Sequence, residues 1–129
     1  MAHKVIDNWH SLISSGNLEA LDDLLSDEVL FYSPVVHTPQ AGKPVTRMYL
    51  AAAFDVFVSD SFRYVREIVN ERDAVLEFTV DIDGVIVNGV DMIKWNDEDK
   101  LIEFKVMLRP LKAINLIHKM MADKLESLK

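Results

Sequence analysis

The stretch from residue 74 to residue 95, AVLEFTVDIDGVIVNGVDMIKW, constrains the fold of this chain more than any other. Leu76, Phe78, Val80 and Ile82 alternate with Glu77, Thr79 and Asp81, the period of a strand that buries one face. Asp83-Gly84 then offers two residues that tolerate positive φ, so residues 85–95 return as the partner of a tight hairpin. A lone hairpin is marginal in water, so its apolar face needs further strands and a cover. Residues 62–70 read as the strand before it. After the acidic turn NDEDK, residues 101–109 alternate again, with Ile102, Phe104, Val106 and Leu108 against Glu103, Lys105 and Arg109.

The cover is written on either side of these strands at helical spacing. Val5, Ile6, Trp9, Leu12 and Ile13 form one amphipathic face, closed by Gly16 as a C-terminal cap. Asn17 suits the N-cap of a second helix bearing Leu18, Leu21, Leu24 and Leu25. VLFYS, residues 29–33, is a β-branched and aromatic strand that ends at Pro34, and an ordered loop runs from Pro34 to Pro44. Pro44 opens a third helix to about Val58, apolar on two sides: Val45, Met48, Tyr49, Ala52 and Val56 on one, Leu50, Phe54 and Phe57 on the other. Such a helix is buried twice, or faces a sheet on one side and a cavity on the other. Pro110 starts a last helix with Leu111, Ile114, Ile117, Met121 and Leu125. The predicted order is ααβαββββα, an α+β fold of antiparallel meanders, with residues 1–129 as one domain.

Composition removes whole classes of function. Fourteen basic against 21 acidic residues leave a net charge of -7 with no basic stripe, which disfavours nucleic acid and anionic membrane surfaces. With no cysteine, disulfides, thiolate nucleophiles and sulfur-ligated metals are excluded. No His and carboxylate pattern has metal-ligand spacing, and His3, His10 and His118 are assigned no role. The first residues, MAHKVIDNWH, form no apolar signal-peptide core, and no apolar run reaches about 18 residues, so a cytoplasmic protein is expected.

One charge sits oddly in this pattern. GVDMIKW, residues 89–95, places Asp91 in an apolar strand. If Asp91 shares a face with Ile93 and Trp95, it points inward, where desolvation raises a carboxyl pKa and keeps it neutral as a hydrogen-bond donor. Facing inward it equally suits a base, or a structural acid satisfied by the Trp9 indole N–H or a backbone group; facing outward it is a solvated residue. Trp9 reads equally as a donor on a pocket wall and as a core aromatic. His37, in the loop after the first strand, is a candidate base if the loop folds over a pocket, and a solvated histidine if it does not. Phe54, Phe57, Phe78 and Phe104 divide between core and pocket lining. Asn88 approaches the same region if Gly89 marks a bulge.

The order of elements and four stretches, SGNLEALDDLLSDEVLFYSP, AGKPV, GVDMIKW and KLIEFKVMLRPL, resemble the nuclear transport factor 2-like superfamily in its SnoaL-like and ketosteroid isomerase-like branch. The resemblance spans nearly the whole chain. It implies a cone-shaped curved sheet wrapped around the N-terminal helices, with an apolar pocket, and a homodimer formed through the outer sheet face. Its members include isomerases, cyclases, dehydratases, epoxide hydrolases and non-catalytic adaptors, so the fold leaves function open. Ketosteroid isomerase works with an aspartate base, a tyrosine and a protonated aspartic acid. By resemblance the protonated acid falls on Asp91, the tyrosine on Trp9 and the base on Ser33, with Val29, Phe31 and Ser33 facing inward. A serine with no evident histidine beside it is no proton acceptor, and an indole only donates.

These readings converge on a pocket for a small hydrophobic or cyclic organic molecule, lined by Trp9, Phe31, Ser33, Asn88, Ile93 and the four phenylalanines around Asp91. The expected chemistry is cofactor-free acid–base isomerisation, cyclisation or dehydration, with Asp91 and His37 as its acid–base groups. The alternative is a non-catalytic ligand-binding or dimerisation module with a vestigial pocket, favoured by Ser33 at the base position.

Overall fold

In the computed structural model, which describes residues 4–127, helices give way to a single curved, open sheet of six strands. His3 lies outside the described residues. The elements are α1 (Lys4–Ser15), α2 (Glu19–Leu24), β1 (Leu25–Tyr32), β2 (Gln40–Ala41), α3 (Lys43–Phe57), β3 (Arg63–Val69), β4 (Asp73–Ile82), β5 (Val85–Trp95), β6 (Leu101–Arg109) and α4 (Leu111–Ser127). The sheet order is β2-β1-β6-β5-β4-β3, and it does not close into a barrel.

Three details depart from the sequence reading. Leu25 turns extended (φ -86°, ψ 136°) and begins β1, so α2 is one short helical run and the strand covers 25–32 rather than 29–33. Leu24 and Leu25 are both buried, so apolarity alone does not separate the last helical residue from the first strand residue. The loop after β1 contains the two-residue β2, which pairs antiparallel with β1 at Leu30 and Phe31. Finally, β1 pairs with β6 in parallel. Hairpin connections dictate antiparallel neighbours only for strands adjacent in sequence, and β1 and β6 are joined by no hairpin.

Asp83 (φ 51°) and Gly84 (φ 84°) form the β4–β5 turn, and from Asp73↔Lys94 to Ile82↔Val85 the register runs without a break. Gly89 therefore marks no bulge. Gly89 is required for another reason: it pairs with Phe78 across the sheet, and a Cβ there would collide with the Phe78 ring and with Leu108. The irregularities fall elsewhere, between Leu25 and Leu30 on β1, between Tyr64 and Arg66 on β3 and between Lys94 and Trp95 on β5.

The inner sheet face holds the core. Trp9, Leu12, Leu21 and Leu50 from α1, α2 and α3 pack on Leu76, Ile93 and Phe104. A second cluster joins Phe78, Val80 and Val87 to Ala113 and Ile117 of α4. Pro110 opens α4, its carbonyl accepting from the Ala113 and Ile114 N–H groups at 2.9 and 3.1 Å. Lys124 Nζ lies 2.8 Å from Asp55 Oδ2, tying the far end of α4 to α3. Among the described residues, no helix is long and apolar enough to cross a membrane.

Candidate functional site

Alternation along β5 sends Val87, Gly89, Asp91, Ile93 and Trp95 to the inner face. Asp91 stands directly opposite Leu76 of β4 and Val106 of β6, so aliphatic side chains flank its carboxyl on both sides. It is 7 % exposed, and it is the one charged side chain buried among the described residues.

Its partner is Tyr64 of β3. The Tyr64 hydroxyl donates to Asp91 Oδ2 at 2.7 Å, and accepts from Trp9 Nε1 at 2.9 Å. Trp9, Tyr64 and Asp91 thus form a directed chain, in which each group donates to the next and the carboxyl is the terminus. Trp9 is held by tilted contacts with Phe54 and Phe104 at centroid distances of 5.6 and 5.0 Å. The His10 ring meets the Tyr64 ring edge-on at 5.4 Å, while its Nε2 lies 2.6 Å from Glu67 Oε1.

Burial dominates the electrostatics. Desolvation pushes the Asp91 carboxyl from 3.8 up to about 7, and the Tyr64 hydrogen bond opposes part of that rise. Burial, followed by the neighbouring Asp91 charge, pushes the Tyr64 phenol well above its ordinary value, so it stays a donor. Near neutrality Asp91 exists in both forms. Protonated, it donates a hydrogen bond into an apolar space; ionised, it accepts a proton from one.

That space is small where it meets the acid. A cavity of about 50 Å³ borders Asp91, Tyr64 and Trp9, walled by Phe54, Phe62 and Phe78 among others. It holds one or two waters, not a ring. Beyond it a second chamber of about 220 Å³ lies under α4, bounded by Ser33–Val36, Tyr49, His118 and Met121. Phe31, Ala53, Phe57 and Val106 line both spaces and form the partition between them. The open hollow expected from a cone is therefore largely filled beside the acid, because aromatic pairs such as the stacked Phe62–Phe78 and the edge-on Phe62–Tyr64 occupy it.

Of the residues singled out from sequence, Trp9, Phe31, Phe54, Phe57, Phe78 and Phe104 line the cavity with Asp91. Ser33 lines the outer chamber, not the acid's cavity. It has left the sheet, and its Oγ accepts from the Val35 and Val36 N–H groups at 3.0 and 3.4 Å. Ile93 shares the inner face but is buried in the core and lines neither space. Asn88 faces outward, its Nδ2 donating to Glu77 Oε2 and the Phe78 carbonyl. His37 is exposed and lines a surface groove with Lys105 and Met107, outside both chambers. The Trp9 indole satisfies Tyr64, not Asp91.

Sequence reasoning missed Tyr64, and assigned no place to His118, which lines the outer chamber. The register shift directly after Tyr64 breaks the alternation that would have marked it as inward. His118 sat beside core positions of a helix whose partner surface no local pattern discloses. Among the described residues, no three His, Cys, Asp or Glu side chains group as metal ligands.

An open curved sheet with helices on its inner face is the architecture of the nuclear transport factor 2-like α+β domains. The chain belongs to the SnoaL-like domain family, whose model matches residues 6–104. A steroid delta-isomerase from Pseudomonas aeruginosa is similar at 34% identity and a TM-score of 0.90, over 96% of this chain and 90% of that one. An uncharacterized protein with a cystatin-like fold from Silicibacter pomeroyi is similar at 26% identity and a TM-score of 0.82, over 97% of this chain and 84% of that one. The epoxide hydrolase/cyclase-like enzyme SalBIII shares the fold alone, at 12% identity and a TM-score of 0.66, over 82% of this chain and 88% of that one. A comparison with curated proteins yields no match.

Proposed function

We propose that the protein binds a small hydrophobic or cyclic organic molecule at Asp91 and carries out cofactor-free acid–base chemistry of the isomerase type. The observation that carries this reading is the Asp91 carboxyl, buried on a cavity wall and fixed by the Tyr64 hydroxyl. A carboxyl poised at about 7 is suited to exchange a proton with a bound carbonyl or enol near neutrality. The similarity to a steroid delta-isomerase supports the reaction class. Access for a ring requires the partition at Phe31 and Phe57 to shift, so that the ligand spans both chambers.

The rival is a binding module without turnover, favoured by Ser33 at the base position and by the narrowness of the inner cavity. The two readings part on one pair of measurements. 2-Naphthol, a ring hydroxyl that resembles a cyclic enolate, should bind the wild type and quench or shift the Trp9 signal. Asp91→Asn should lower turnover of cyclohex-3-en-1-one to its conjugated isomer at least about tenfold. Binding with no wild-type turnover selects the rival; unchanged turnover in the variant removes Asp91 from the chemistry.

We also propose that a second copy of the chain covers the outer sheet face, where Ile68, Ile86, Met92 and Met107 are exposed apolar side chains. A sedimentation mass equal to the monomer at micromolar concentration would discard this assembly.

A further inference from the structure

The proposed reaction needs a group that takes a proton from carbon while Asp91 holds the oxygen, and neither Ser33 nor His37 serves. The Ser33 hydroxyl is an alcohol whose oxygen is engaged by the Val35 and Val36 N–H groups, and His37 lines neither chamber. The outer chamber contains one. His118 of α4 borders it together with Ile117, Met121 and Ser33. Among the described residues lining the two chambers, it is the one imidazole; Asp91, Tyr64 and Tyr49 complete the titratable set. An imidazole accepts a proton readily near neutrality, whereas a tyrosine phenol does not. His10, by contrast, is engaged with Glu67, while His118 has no hydrogen-bond or ion-pair partner among the described residues. Ile117, the residue before His118, is buried against Phe78, Val80 and Val87 of the sheet, and this packing keeps His118 at the chamber.

The geometry points to His118 as the proton acceptor that works opposite Asp91, on a β,γ-unsaturated ketone of one or two rings lying across both chambers. This assignment rests on the acid–base reading of the Asp91 site. The ring count follows from volume: about 220 Å³ exceeds the ~150 Å³ that accepts benzene in an engineered apolar cavity. His118 takes the proton from the carbon between the carbonyl and the alkene. The C–H electron pair becomes a carbon–carbon double bond, and the carbonyl oxygen takes up the charge as a dienolate, held by a hydrogen bond from Asp91. The imidazolium then returns the proton to the far alkene carbon, leaving the conjugated enone. No electron, leaving group or cofactor enters or departs.

Cyclohex-3-en-1-one is the probe, followed by the ultraviolet absorbance of its conjugated product, with 2-naphthol binding measured in parallel. His118→Ala is expected to lower kcat about 100-fold or more, to leave the 2-naphthol Kd within about threefold of wild type, and to recover part of the rate when free imidazole is added. His118 is exposed, so the variant should keep the wild-type Tm. Wild-type turnover with His118→Ala retaining about a third of kcat or more overturns the assignment and leaves the Asp91 reading intact. Absence of wild-type turnover while 2-naphthol binds overturns His118 as acceptor and leaves the site as a binding pocket. Failure of 2-naphthol to bind overturns both.

Discussion

Asn88 and Asp91 lie on the same strand yet face opposite sides of the sheet, and the two faces treat polar groups differently. On the outer face, Asn88 accepts from Arg109 Nε at 2.8 Å and donates to Glu77 at 3.0 Å, with Arg66 Nε 3.5 Å from the same carboxylate. Water reaches this row and screens it, so its ion pairs contribute little. On the inner face, Asp91 has one hydroxyl donor and aliphatic neighbours, and desolvation moves its carboxyl to about 7. Burial, rather than residue type, turns one carboxylate of this sheet into a group able to exchange protons at neutral pH.

The largest expected contrast is with pH. The folded Asp91 carboxyl titrates at about 7 against 3.8 in the unfolded chain. Between those values the folded chain keeps a proton that the unfolded chain has released. Stability from this residue is therefore present at low pH and is lost as pH rises toward 7, at on the order of 1 kcal/mol per pH unit. Asp91→Asn should remove that slope, so denaturant unfolding at pH 5 and pH 8 should show the variant gaining on wild type at the higher pH. Parallel curves would erase the distinction between the faces.

A smaller effect sharpens the role of Tyr64. Tyr64→Phe strips the donor from Asp91 and the acceptor from the Trp9 indole, leaving two buried groups unpaired at about 1–3 kcal/mol. Because the Tyr64 bond lowers the Asp91 pKa, its loss should raise that pKa further above 7. Carboxyl carbon NMR reads this directly, and an unmoved titration would mean that the hydroxyl does not tune the acid. The least effect is expected outside. Glu77→Gln should change stability by less than about 1 kcal/mol, and the difference should shrink with added salt. A larger, salt-independent loss would make the outer row structural in its own right.

Much of this architecture is legible locally. The period of residues 74–82, the Asp83-Gly84 turn and the return strand read directly onto β4 and β5, and the inward direction of Asp91 follows from its place between Gly89 and Ile93. The same logic stops where periodicity breaks or where contact depends on distant chain. Leu25 looked helical because a buried leucine serves helix and strand equally. The resemblance implies an inward Ser33, but the strand ends before it and its hydroxyl closes a turn.

Sequence by itself determined the α+β class and the elements of the hairpin sheet, and it marked Asp91 as the candidate inward acid, since each follows from spacing within a few residues. Only the tertiary structure supplied what completes the site. Trp9 meets Tyr64 across 55 residues and Tyr64 meets Asp91 across 27, and His118 reaches the outer chamber because α4 folds back over the sheet. Separations of that length leave no local periodicity to read. The partners of Asp91 are chosen by how the helices pack on the sheet, and packing is a property of the assembled chain.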